Sequence, residues 1–123
     1  VLAVWNAFGI DRVGSPLRSI RTMSDLLQRG CSIVLYPEGT RSEDNKIAPF
    51  KSGLAIVAKL AKCPVVPVFV AGGSSILPKA TYMPRTGSMH ISFGKPIFLQ
   101  EEETARMFTR RVEESVREMA GGR

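Results

Sequence analysis

The stretch Cys31-Ser32-Ile33-Val34-Leu35-Tyr36-Pro37-Glu38-Gly39-Thr40-Arg41-Ser42 decides how the rest of the chain is read. Cys31 to Tyr36 is short, apolar and rich in β-formers, which predicts a buried strand. Pro37 ends it, and a charged turn follows at once. Within four residues that turn offers the Glu38 carboxylate, the permissive backbone of Gly39, the Thr40 hydroxyl and the Arg41 guanidinium. Such a set suits an oxyanion: glycine allows close backbone approach, the hydroxyl donates, and the guanidinium presents a planar fork of donors. The carboxyl end of a buried strand is also where open α/β sheets bind ligands.

Tyr36-Pro37-Glu38-Gly39-Thr40-Arg41-Ser42 resembles the Phe-Pro-Glu-Gly-Thr-Arg-Ser signature of the glycerol-phosphate and lysophosphatidate acyltransferases, with one aromatic exchanged for another. Three further segments carry the likeness. Ile10-Asp11-Arg12 is similar to an upstream family segment whose arginine binds the acceptor phosphate, although Gly9 stands where the family has a bulky apolar residue. Phe50-Lys51-Ser52-Gly53 is similar to the Phe-Lys-x-Gly that follows the family's phosphate turn, and Val66-Pro67-Val68 to a segment that shapes its acyl-donor or acceptor pocket. The likeness runs from about Phe8 to Ile97. It implies an α/β domain with a central, mostly parallel sheet flanked by helices, working peripherally at the cytoplasmic face of a membrane. It implies acyl-CoA or acyl-carrier protein as acyl donor and co-substrate, with no other cofactor, and a lysophospholipid or glycerol phosphate as acceptor. The implied phosphate-binding set is Arg12, Glu38, Gly39, Thr40, Arg41 and Lys51, with Pro67 as a pocket-shaping residue.

Acyl transfer to a hydroxyl needs a base for the hydroxyl proton. In the family that base is the histidine of an Asn-His-x-x-x-x-Asp segment, which these 123 residues do not contain. The single histidine, His90, lies in Met-His-Ile-Ser with no aspartate four residues on, so no catalytic role is expected of it. The chain begins with valine and is expected to be N-terminally truncated or processed. It reads as the acceptor-binding and core portion of such an enzyme, inactive alone. A non-catalytic phosphate- or phospholipid-binding module is the alternative.

Length and composition fit one domain spanning residues 1–123, with an ordinary 44% hydrophobic fraction. A net charge of +6 and a pI near 9.8 favour anionic partners: phosphate ligands, nucleic acid or an anionic lipid surface. Nucleic acid is not expected, because aromatics are few and no interleaved basic-aromatic motif occurs. No run of 18 apolar residues predicts a membrane span. Cys31 and Cys63 are expected as free, buried thiols, and with one histidine they make a poor metal site.

Elsewhere, spacing predicts the elements. Val1 to Arg12 suggests a strand running into a loop. Ser15-Pro16 marks a helix start and Gly30 its end, with Leu17, Ile20, Met23 and Leu27 on one face. Phe50 to Lys62 reads as a second helix, with Phe50, Leu54, Val57, Ala58 and Ala61 inward. Gly53 inside it would cost about 1 kcal/mol, suggesting close packing or a ligand. Pro64 to Val70 reads as a strand in which Pro67 marks an edge, a bulge or a special site. Ser88 to Phe93 alternates as a half-buried strand, with Met89, Ile91 and Phe93 on the apolar side. Glu101 to Met119 is the strongest helix, with Ala105, Phe108, Val112, Val116 and Met119 inward and Glu101 to Glu103 in its first turn; its other charges read as a solvated face. Three residues keep two readings each. Arg12 is a surface ion-pair partner or a phosphate ligand. Lys51 is an exposed lysine or a phosphate-side cation. Glu38 pairs with Arg41 or Arg12, or orients an arginine or a ligand hydroxyl.

Overall fold

A computed structural model describes residues 16–39, 46–76 and 83–121. Arg12, Thr40 and Arg41, and the strand expected over Val1 to Arg12, lie outside the described residues. The elements run α1 (Pro16–Gln28), α2 (Gly53–Ala61), β1 (Val68–Ala71), α3 (Gly73–Ile76), β2 (His90–Phe93) and α4 (Ala105–Gly121).

Helix α1 forms where its apolar spacing predicts and stops at Gly30. Gly30 has φ +91°; its N–H donates to Leu27 O at 3.1 Å, and Cys31 N–H donates to Leu26 O at 3.0 Å. This pair of bonds is a Schellman closure, which needs a left-handed residue and favours glycine. Ile20 and Met23 are buried, together with Ser19 and Ser24. Leu17, expected inward, is exposed; it sits in the first turn at the margin of the stripe centred on Ile20, Met23 and Leu27.

Helix α2 lies between α1 and α4. Val57 packs with Ile20 and Met23, while Leu54, Ala55 and Ala58 pack with Phe108 and Val112 of α4. Leu35, from the segment expected to be a strand, touches both clusters. The helix begins at Gly53, later than expected, so Lys51 precedes it and Gly53 pays no interior penalty. A Cβ at Gly53 would meet nothing within 4 Å, which overturns the close packing inferred for it.

The sheet among the described residues has two strands. β1 and β2 pair antiparallel, with Val68 opposite Phe93 and Val70 opposite Ile91. Beyond the ladder, Val65 and Ile97 form a bridge, so residues 66–67 face residues 94–96. That extra residue makes a bulge on the 94–96 side, opposite Pro67 rather than at it. Pro67 is buried and accepts a 2.9 Å bond from Gly94 N–H. α4 packs on the sheet, near Gly94 through Ser115 and Met119. Consequently Phe69 and Ser92 are half-buried, while Val68, Val70, Ile91 and Phe93 are exposed. The alternation expected in β2 is real, but its apolar side is the open one.

Cys31 to Tyr36 is not a buried strand. Ile33 and Leu35 turn toward the helices, whereas Val34 and Tyr36 are each 80% exposed, and no ladder holds the segment among the described residues. Only one of its two faces meets a helix layer. Cys31, at the Schellman closure, is exposed and Cys63 is half-buried, against the burial expected of both; both thiols are free. The central parallel sheet is not seen among the described residues.

Helix α4 starts at Ala105 because Thr104 Oγ1 accepts a 3.2 Å bond from Met107 N–H, an N-cap. Glu101 to Glu103 therefore precede the helix, and Ala105 is exposed. Glu103 instead takes a two-pronged contact from Arg111, at 2.6 and 2.7 Å, and Arg111 also donates to Phe98 O at 2.8 Å. Phe108 is completely buried, with Thr109, Val112 and Val116 beside it. Among the described residues, no helix is long and apolar enough to cross a membrane.

Candidate functional site

The signature turn is closed by its own backbone. Gly39 N–H donates to Tyr36 O at 3.0 Å, with Pro37 at the second turn position, where its fixed φ suits the bend. Gly39 itself has φ +75°, in the left-handed region. Leu35, packed in both clusters, fixes where this turn starts.

Three contacts join the turn to residues 47–51, although ten or more residues of chain separate the partners. Glu38 Oε2 accepts a 2.8 Å bond from Ala48 N–H. Pro37 O accepts a 2.9 Å bond from Lys51 N–H. The Lys51 side chain crosses Gly39 so closely that a Cβ there would lie 2.8 Å from Nζ and 3.1 Å from Cε. Glycine at 39 thus serves two needs, the positive φ and room for the lysine. The structure brings the turn and the cation together. Lys51, however, lies two residues before α2 rather than within its first turn. Ser52 makes no side-chain cap bond, so α2 begins uncapped by a side chain just after Lys51.

Helix α4 holds the same segment from the other side. Glu113 Oε2 accepts a 3.1 Å bond from Phe50 N–H. Arg117 donates to Ile47 O at 2.9 Å, and the two side chains pair at 2.9 Å. The Phe50 bond, assisted by Arg117, holds the Glu113 carboxyl below the usual range against the opposing effect of burial. Sequence reading missed both residues by treating the charges of α4 as solvated. Their available signal was placement: each follows a buried valine, Val112 or Val116, and so flanks the inward stripe.

Of the other expected site residues, Pro67 is opposite the sheet bulge, against Gly94, and Arg12, Thr40 and Arg41 lie outside the described residues. His90 is exposed in β2. No cluster of three or more metal-ligating side chains occurs among the described residues.

A family profile described as Acyltransferase matches residues 1–71, more than half of the chain. The chain belongs to the acyltransferase family. It is similar to a chloroplastic 1-acyl-sn-glycerol-3-phosphate acyltransferase of Brassica napus, with 32% identity covering 68% of this chain and 25% of that protein. The Bacillus subtilis 1-acyl-sn-glycerol-3-phosphate acyltransferase is 32% identical over 75% of this chain and 43% of its own length. Among solved structures, the 1-acyl-sn-glycerophosphate acyltransferase PlsC of Thermotoga maritima superposes with a TM-score of 0.79 at 26% identity, covering 86% of this chain and 46% of that one. The α/β arrangement is therefore that of a known acyltransferase fold, and the chain spans less than half the length of these relatives.

Proposed function

We propose that this chain is the acceptor-binding and core portion of a glycerolipid acyltransferase that moves an acyl group from acyl-CoA or acyl-carrier protein to lysophosphatidate. The observation that carries this reading is the Lys51 ammonium lying across Gly39 in the Glu38 turn. A cation laid beside a glycine turn, with an uncapped helix start two residues on, suits a phosphate monoester. Arg41 and Arg12 add guanidinium forks to that phosphate, and Thr40 adds a hydroxyl donor. Glu38 works through the loop: one carboxylate oxygen holds Ala48 N–H, and its further role is to orient an arginine or an acceptor hydroxyl. Pro67, which cannot donate to a ladder, shapes the pocket wall through the bulge. The central sheet becomes mostly parallel in the whole enzyme, which works peripherally at the cytoplasmic face of a membrane.

Phosphate binding of this kind contributes to rate by position. It holds the acceptor hydroxyl where a base and a thioester can meet it, replacing a bimolecular encounter by an oriented one. The base comes from the family's histidine-aspartate segment, which the 123 residues do not include. The test has two parts. The chain should bind glycerol 3-phosphate by titration calorimetry, and Lys51→Ala should weaken that binding about tenfold, as expected for part of a charge-assisted contact. The chain should also show no acyl transfer. Unchanged binding in Lys51→Ala overturns the site, and turnover that survives His90→Ala overturns the assignment of the chemistry.

A further inference from the structure

We propose that Glu113 and Arg117 of α4 are positioning residues for the acceptor phosphate, acting through Lys51. This inference rests on the reading of the Glu38 turn as the phosphate site and adds to it the device that aims the cation.

Lysine is a poor pointing device by itself, because its four-carbon stem has many rotamers. Its aim must come from where its backbone is held. Between Ile47 and Lys51 the backbone is fastened at four points. Ile47 O is held by Arg117, Ala48 N–H by Glu38, Phe50 N–H by Glu113 and Lys51 N–H by Pro37 O. Two of these come from the turn and two from α4. The α4 pair is itself tied by the Arg117 Nε to Glu113 Oε1 contact. α4 in turn is anchored by Phe108 and Val112 against α2, in the cluster on which Phe50 also packs. The C-terminal half of α4 therefore braces the segment whose end lays Lys51 across Gly39. Sequence separations of 63 and 70 residues make this a tertiary device.

The sign of one substitution separates bracing from bulk charge. Removing the negative charge of Glu113 near an anion site should tighten anion binding if only long-range electrostatics matter. If Glu113 braces Lys51, its removal should weaken binding instead. Glycerol 3-phosphate is titrated into the 123-residue chain by calorimetry, and amide hydrogen exchange is read at Phe50 and Lys51. Glu113→Ala should weaken binding about threefold to tenfold, the worth of a typical net hydrogen bond. Glu113→Gln, whose side-chain carbonyl still accepts from Phe50 N–H, should recover most of that loss. Arg117→Lys, which keeps the charge but loses the guanidinium fork, should weaken binding in the same direction and keeps the test open if Glu113→Ala does not fold. In a Lys51→Ala background the effects of both substitutions should disappear, as coupled residues require. Loss of thermal stability with unchanged affinity, tighter binding in Glu113→Ala, or full amide protection at Phe50 without Glu113 each overturns the brace. Unchanged affinity in Lys51→Ala alone instead identifies failure of the phosphate reading, and the positioning role falls with it.

Discussion

Gly39→Ala tests the site most directly, because the two costs of a methyl group there fall on different observables. The first is conformational. Gly39 has φ +75°, and an L-residue in the left-handed region pays roughly 1–2 kcal/mol. At about 2.1 cal/mol/K of unfolding entropy per residue, the 123 residues give about 0.26 kcal/mol/K. The strain thus predicts a fall in Tm of about 4–8 °C. The second cost is steric. The new Cβ would lie 2.8 Å from Lys51 Nζ, whereas ordinary contact starts at 3.4 Å. The ammonium is the far end of a flexible side chain, so it moves by about 0.6 Å or more at little cost in stability. If Lys51 holds the acceptor phosphate as proposed, that movement draws the cation away from it, and affinity for glycerol 3-phosphate should fall about fivefold to tenfold, or about 1–1.4 kcal/mol. Gly39→Asn separates the two terms. Asparagine tolerates the left-handed region but still carries a Cβ, so it should recover much of the Tm and none of the affinity. Calorimetric titration and thermal melts of these proteins, and of Gly39→Ala in a Lys51→Ala background, decide the matter. Wild-type Tm in Gly39→Ala would refute the backbone strain. An affinity loss that persists undiminished in Gly39→Ala with Lys51→Ala would refute displacement of the lysine as its cause.

Arg41→Ala should weaken glycerol 3-phosphate or lysophosphatidate binding by about 1.5–3 kcal/mol, the worth of a charge-assisted pair; unchanged affinity removes Arg41 from the site. Glu103 is held below its ordinary carboxyl value by Arg111 and Glu113 by the Phe50 N–H. Both therefore contribute stability that is present above the unfolded value near 4.5 and is lost as pH falls through their lowered folded values. Urea midpoints at about pH 7 and about pH 3.5 should show that loss, and Glu103→Gln should reduce it; an equal acid loss in the variant would contradict the pairing. Phe108→Ala opens a cavity at a residue with 0% exposure and should cost about 3–5 kcal/mol in urea denaturation. A loss under about 1 kcal/mol would mean the cluster is not the main core.

Much of the local architecture is legible in the sequence because it depends on near neighbours. Pro16 and Gly30 bracket α1 within two residues, since φ limits and the Schellman bonds are local. The inward stripe Phe108, Val112 and Val116 follows from helical period alone. The signature turn, the lysine after it and the membership in a family are likewise readable from seven contiguous residues and a short flanking motif. Where reading failed, a competing local bond or a missing neighbour decided. The Thr104 cap moved the start of α4 past Glu101 to Glu103. Uncovered faces left Val34, Tyr36, Ile91 and Phe93 in the open, because alternation fixes which residues share a face but not which face is buried.

Local sequence set the limits of α1, the chemistry of the turn and the candidate phosphate-binding side chains. Only the tertiary structure decided that Lys51 lies across Gly39, that Glu38 is tied to Ala48, and that Glu113 and Arg117 hold residues 47–50 from the far end of the chain. Propensity and capping act over a few residues, whereas a carboxylate meets an amide 63 positions away only after α2 and α4 have packed.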